Sequence, residues 1–473
     1  MFTRPWRLLF VGLALWGCRS QAPSAHPSEA QSQQVVRRSF GASSSAPSVA
    51  IRLARKGGAV HVYRLPGLTE IPDAVRGTLP AAARAIGVDP EAALLFVTSA
   101  AGVVQSLDLE TGRVDSVTSA AAVTALGPDQ TLFVVDANRH VTSVARRIRL
   151  SWPQPLAGLP RDLFGATDQR LVAVVPGDST HPGTFRLITA AAGQPPAIRT
   201  LPVAGDVAAT RWGDLVAVAS DSGVLLVDPL ARREPAFVPI ADHPRALAFS
   251  PSGHRVYVAR RTGAGLAVID RYERTEEDGI ALPTPVATVR ADQLGRWILA
   301  RPSIGDSVWV VDLPVKRLAG SVATAWDADV PTIAPDGSLL VAQGKDLVAY
   351  RPDSLKETGR VPGGSGDLWL FTTWRPRGGF RATDDAVASA PIVGDSTGPE
   401  GPLYVQVSTS QNEAWSTEMA QQLSRAGLTA RVLSPRGPDD GYRVVLGPYP
   451  SREQAEVIGR KLGRPYWIYQ PPP

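Results

Sequence analysis

Side chains that could do chemistry fall into a few groups along this chain. Asp108, Asp228, Asp270 and Asp312 recur at one place in a repeated pattern, each closing a β-branched run, where a carboxylate accepts hydrogen bonds from turn N–H groups. That is structural work. His61, His140, His181, His243 and His254 are scattered, with no H-x-x-x-H and no carboxylate at ligand spacing, so a metal site has no support. GGSG at 363–366 and TGAG at 262–265 are followed by no helix, and read as turns rather than phosphate cradles. No G-x-S-x-G, S-x-x-K or H-E-x-x-H run occurs, Trp297 and Trp309 sit in strand-like runs as packing residues, and no cofactor is expected. The most distinctive set lies near the C-terminus. Alternation with the apolar Val405, Val407, Val444 and Leu446 turns Tyr404, Gln406, Ser408, Arg443 and Val445 to the opposite face of a sheet. Gln and Arg hydrogen-bond hydroxyls and carbonyls while aromatic rings stack on sugars, the chemistry of holding a polar polymer with apolar ring faces. The only nearby carboxylate pair, Asp439 and Asp440, is adjacent in a turn, so binding is favoured over glycosidic cleavage.

The elements that must position this set follow in order from Leu403. LYVQVS is a strand, NEAWSTEMAQQLSRAG an amphipathic helix closed by Gly427, TARVLS and GYRVVLGPY are strands, SREQAEVIGRKLG is a helix capped by Ser451, and PYWIYQ is a last strand. The order βαββαβ gives a ferredoxin-like antiparallel sheet with both helices on one side and the other face open.

These segments resemble a SPOR domain over Leu403 to Gln470. YVQVS is similar to the family's Y-x-V-Q-x-G/S strand, LSRAGLTARV to its L-x-x-x-G-x-x-A-x-V, and YRVVLGPYPSREQAEVIGRKL to its Y-R-V-x-x-G-P-F run. The resemblance implies binding of peptidoglycan glycan strands, preferentially strands stripped of stem peptides, and a link to division sites. Carried over by position, it puts Gln406, Tyr442, Arg443, Thr409 and Ile468 in or near the glycan-binding face, beside Tyr404 and Ser408. Ser408 replaces the family's usual glycine, and QNEAWSTEM departs from its S-F-x-x-x-x-N-A stretch. A solvated face, or an interface with the rest of the chain, is the alternative reading of the same residues.

Before this module, residues 48–377 repeat one pattern of short strands and Asp, Pro or Gly turns, clearest in ALAFSPSGHRVYVARRTGAGLAVID. Val97, Val134, Ala173, Ala217, Tyr257, Ile298 and Val341 mark second strands at intervals of about 40 residues, the period of a β-propeller. The pattern resembles YVTN-type and WD-repeat-like bacterial propellers. Seven blades are expected, or eight if the orphan strands SVAIRLARKGGAVHVYRL and GDLWLFTTW pair to close the ring. The fold class is therefore an all-β propeller followed by a small α+β ferredoxin-like domain at 403–473, joined by a Gly- and Pro-rich linker at 378–402. A ring of this kind serves binding, scaffolding or catalysis, and fold alone does not choose.

The first 17 residues hold Arg4 and Arg7 ahead of an apolar run from Leu8 to Trp16, too short to span a bilayer and right for an export signal. LWGC resembles a lipobox, which implies diacylglycerol on Cys18, the single cysteine of the chain. Arg19 follows where an inner-membrane retention signal has Asp, which implies the outer membrane. Residues 18–47, rich in Ser, Ala, Gln and Pro, read as a flexible tether. A hydrophobic content of 44% and a net charge of +5, dispersed along 473 residues, exclude a polytopic membrane chain and give no basis for nucleic-acid binding. The expectation is a non-enzymatic envelope lipoprotein whose partners are glycan strands, a membrane and an envelope protein on the ring. An envelope polymer-modifying enzyme with its activity in the propeller is the alternative.

Overall fold

The computed structural model describes residues 46–376 and 403–470, less 119, 167–168, 178–182, 202–204, 211–212, 231–232, 252, 294, 314, 411, 426–427, 436–440, 450–454, 456–457, 460–461 and 463–465. The export signal with Cys18, the tether to 45, the linker at 378–402 and His181 lie outside the described residues, as does Ser451.

Eight sheets succeed one another between Ser48 and Thr373, seven of them four-stranded antiparallel meanders. The second strands carry the sequence markers: Leu94–Thr98, Leu132–Asp136, Arg170–Pro176, Val216–Ser220, Arg255–Arg260, Trp297–Pro302 and Leu339–Gln343. First strands of consecutive sheets touch each other, as Pro244–Phe249 touches Val286–Ala291, so they surround the axis and the fourth strands face outward. The eighth sheet joins the two ends of the repeat region. Leu368–Thr373 pairs with Ser48–Leu53, which pairs with Gly58–Arg64 and then Thr69–Glu70. The ring thus has eight blades, and the early and late orphan strands complete each other.

Packing explains the sequence of the middle strands. A blade's second strand is covered on both faces by neighbouring blades, so its residues run apolar without alternation: LLFV, LFVV, VAVA and WILA are buried throughout. Val49, Ile51 and Leu53 of the closing blade pack with Leu95, Val97 and Leu107 of the next blade, while Ala50, Tyr63 and Trp369 pack with Val330, Leu340 and Leu347 of the preceding one. Polar clamps also cross between blades. Asp206 accepts the Leu247 N–H at 2.9 Å, Asp329 accepts the Trp369 N–H at 3.0 Å, and Arg147 pairs with Asp108 at 2.6 Å.

The repeated aspartates mostly make the turn bonds expected of them. Asp108 accepts from the N–H groups of Glu110 and Thr111, Asp270 from Tyr272 and Glu273, and Asp228 from Leu230. Asp312 departs from the set: its Oδ1 is buried without a hydrogen bond among the described residues. Pro314 stands two residues on, where the others have an N–H donor, and has none to give.

The terminal module orders its strands Ala430–Leu433, Tyr442–Tyr449, Leu403–Ser410, Trp467–Tyr469, all antiparallel. Helix α1, Glu413–Arg425, begins at Asn412, whose Oδ1 accepts the Trp415 N–H at 3.0 Å. Its buried Ser416, Met419, Ala420 and Leu423 form one stripe against Val405, Val407, Val444 and Leu446. Ala455 and Ile458, helical and buried, join the same core.

Candidate functional site

The sheet face opposite α1 is assembled by register. Gln406 stands opposite Val445, which stands opposite Arg431; Thr409 is opposite Arg443; Tyr404 is opposite Tyr469; and Gln406 is also opposite Trp467. These side chains share one face because Val405, Leu446, Ala430 and Ile468, between them, occupy the other.

Within that face the contacts are specific. The Arg431 guanidinium lies over the Tyr404 ring at 4.5 Å and the Arg443 guanidinium over Tyr469 at 5.1 Å. Gln406 Nε2 donates to Thr409 Oγ1 at 2.7 Å, and Arg443 reaches Gln406 Oε1 at 3.5 Å. Gln406 is thereby oriented with its amide between two cation–ring stacks. The centre of the face is closed: Tyr404 and Val445 are 1% and 0% exposed, whereas Trp467 at its edge is 55% exposed. What a ligand meets is thus a polar surface of Gln406, Thr409 and two guanidiniums, with an aromatic edge at Trp467.

Three residues assigned to this face from sequence lie elsewhere. The register slips between Gln406 and Ser408, leaving Val407 as an extra residue and setting Ser408 opposite Val444, on the helix side. An alternation extrapolated along the whole strand has the wrong parity beyond that point. Tyr442 shares the parity of Val444, and its hydroxyl donates to Glu413 Oε2 at 3.1 Å, which pushes the phenol above its ordinary range. Ile468, opposite Val405, packs into the module core. Conversely, Arg431, Trp467 and Tyr469 belong to the face and were not singled out in the sequence. Their signal was available: Arg431 alternates with Ala430 and Val432, and Trp467 and Tyr469 flank Ile468.

In the ring, His61 bonds Glu70 at 2.7 Å and His243 bonds the Asp221 carbonyl at 2.8 Å. One side-chain N or O atom from each of His254, Asp270 and Glu277 lies within 4.8 Å of the others, a grouping that sequence spacing concealed because three adjacent strands of one blade make it. Its charges are matched internally. His254 Nε2 bonds Asp270 at 2.7 Å and Arg255 grips both oxygens of Glu277. Burial pushes the Asp270 carboxyl up, but the bond and charge of His254 together with the N–H groups of Glu273 and Tyr272 outweigh this and hold it below the usual range.

Fold and site define a class, an eight-bladed propeller carrying a small α+β module with a polar, arginine-lined sheet face. Residues 399–464 match the SPOR domain family. The propeller is similar to dihydro-heme d1 dehydrogenase NirN in complex with DHE, at TM-score 0.50 and 16% identity over 74% of this chain and 82% of that one. It is also similar to apo AztD from Citrobacter koseri, at TM-score 0.50 and 12% identity over 70% of this chain and 99% of that one. At these identities the likeness shows the fold alone. No curated protein matches the chain. The protein is therefore a β-propeller followed by a SPOR domain, a module that binds peptidoglycan. Among the described residues no helix is long and apolar enough to cross a membrane.

Proposed function

We propose that this protein is an exported envelope lipoprotein that holds glycan strands, in particular strands stripped of stem peptides at division sites, on the free sheet face of its terminal domain. The observation that carries the reading is the pair of arginine–tyrosine stacks flanking Gln406. A guanidinium stacked on a ring keeps its orientation, so the face sets two positive charges at fixed positions beside the Gln406 amide, a surface suited to sugar hydroxyls and carboxylates. Removing a stem peptide by cleavage of its amide to the sugar leaves a free carboxylate, which two guanidiniums favour over the neutral amide. Calorimetry with defined glycan oligomers tests this. Arg431→Ala and Gln406→Ala should each weaken binding about tenfold, the equivalent of one lost charge-assisted hydrogen bond; unchanged affinity in both would place the ligand elsewhere.

Attachment at Cys18 to the outer membrane is part of the same proposal, since two acyl chains or more make anchoring stable. Cys18→Ser should move the protein from the membrane to the soluble fraction of lysed cells, and retention in membranes would contradict the anchor. The ring then serves as a scaffold for an envelope protein. Three ring acids have pKa values raised by burial: Asp206 and Asp329 are each bonded as a clamp to a backbone N–H of the next blade, and Asp292, at 4% exposure, is closed off from a polymer in solvent. This supports binding over the polymer-modifying alternative.

A further inference from the structure

We propose that the propeller carries a docking site for its own terminal domain, keyed by Trp415, which holds the two domains as one body with the glycan-binding face turned away from the ring. Trp415 lies in the first turn of α1, in the stretch where this chain departs from the SPOR pattern. One side of its indole packs against the module core. The other meets the ring: its centroid is 4.3 Å from Tyr272 and 5.5 Å from His254, and those two rings meet edge-on at 5.4 Å.

The propeller side of this contact is built rather than incidental. Asp270, the repeat's turn carboxylate, bonds the His254 ring at 2.7 Å and the Tyr272 N–H at 2.7 Å, so one side chain fixes both aromatic partners. Arg271 lies over Tyr272 at 4.9 Å and is itself tied to Asp214 of the preceding blade at 2.7 Å. Glu418, one turn on from Trp415, adds negative charge beside Arg271, so an acidic helix face meets a cation. Glu273 of the ring lines one cleft with Asn412, Glu413, Glu418 and Gln421 of the module. A central tryptophan in an aromatic pocket with a charged surround is the usual anatomy of a binding hot spot.

The contact lies on the helix side of the module, whereas Gln406, Arg431 and Arg443 lie on the far side of its sheet. Docking and glycan binding therefore use opposite faces and are compatible, and a ring docked this way is presented at a fixed angle to the wall. This inference is independent of what the sheet face binds.

The test uses the full chain with Cys18→Ser, so that Glu276→Cys on the ring and Ser424→Cys on α1, outside the cleft, supply the only thiols for spin labels; both side chains are exposed. Pulsed dipolar spectroscopy should give one narrow distance distribution. Trp415→Ala should broaden it, and so should Tyr272→Ala, which leaves the module core untouched. A broad distribution in the Trp415 protein, or a narrow one that survives Tyr272→Ala, would overturn the dock. Circular dichroism and the melting curve of the Tyr272→Ala chain show separately that both domains remain folded, so that loss of the dock is told apart from unfolding.

Discussion

Asp292 sits in the turn between two strands of one blade, at the position that Ser250 holds in the next repeat back. It is 4% exposed, and neither carboxylate oxygen makes a hydrogen bond among the described residues. Burial raises its pKa from 3.8 to about 7, against the opposing pull of the nearby N–H groups of Trp297, Gly295 and Arg296. The folded chain thus keeps a proton that the unfolded chain releases above 3.8, so the contribution of Asp292 to stability is greatest below about 4 and falls as pH rises from about 4 to about 7. A shift of this size amounts to about 4 kcal/mol in the limit. Asp292→Asn should remove the slope and raise the melting temperature above pH 7; a variant with the wild-type slope would show that the carboxyl is not the source. Asp312 belongs beside it, since its missing turn bond follows from Pro314 in the sequence alone. The candidate site was legible to the same depth. Tyr404, Gln406 and Arg443 could be assigned by alternation, but Ser408 could not, because one extra residue at Val407 reverses the parity and carries no distinctive side chain.

At the level of elements, the ring depends on the pairing of Leu368–Thr373 with Ser48–Leu53, the one sheet whose strands come from opposite ends of the repeat region. Trp369 is its anchor. Its ring is 5.7 Å from Tyr63 and stacked at 6.3 Å on Phe371, and its indole N–H donates to the Gly364 carbonyl at 2.8 Å. Trp369→Ala leaves a cavity between two blades and should cost about 3–5 kcal/mol in chemical denaturation; a loss under 1 kcal/mol would mean that the closing blade is not part of the cooperative unit. This architecture could be read in advance because each repeat leaves a β-branched strand apolar on both faces, which only neighbouring repeats can cover. The eighth blade was legible for a related reason: two incomplete sets of strands would each leave an edge open. The aromatic dock was not. Trp415 comes from a helix and Tyr272 and His254 from two separate loops of one blade, and no periodicity links them.

The molecule as a whole combines a ring that offers surface with a small domain that offers an address. With the dock we propose, and with the proposed lipid at Cys18 and glycan at Gln406, one rigid body would be held at two ends. Two such attachments raise the effective concentration of the ring at the wall without any new contact. The central claim is the address, and sedimentation of the whole chain with peptidoglycan sacculi tests it most directly. The account predicts pelleting that increases after an amidase strips the stem peptides and that falls away with Arg431→Ala and Gln406→Ala. Chain left in the supernatant under every condition, or pelleting unaffected by those substitutions, would contradict it.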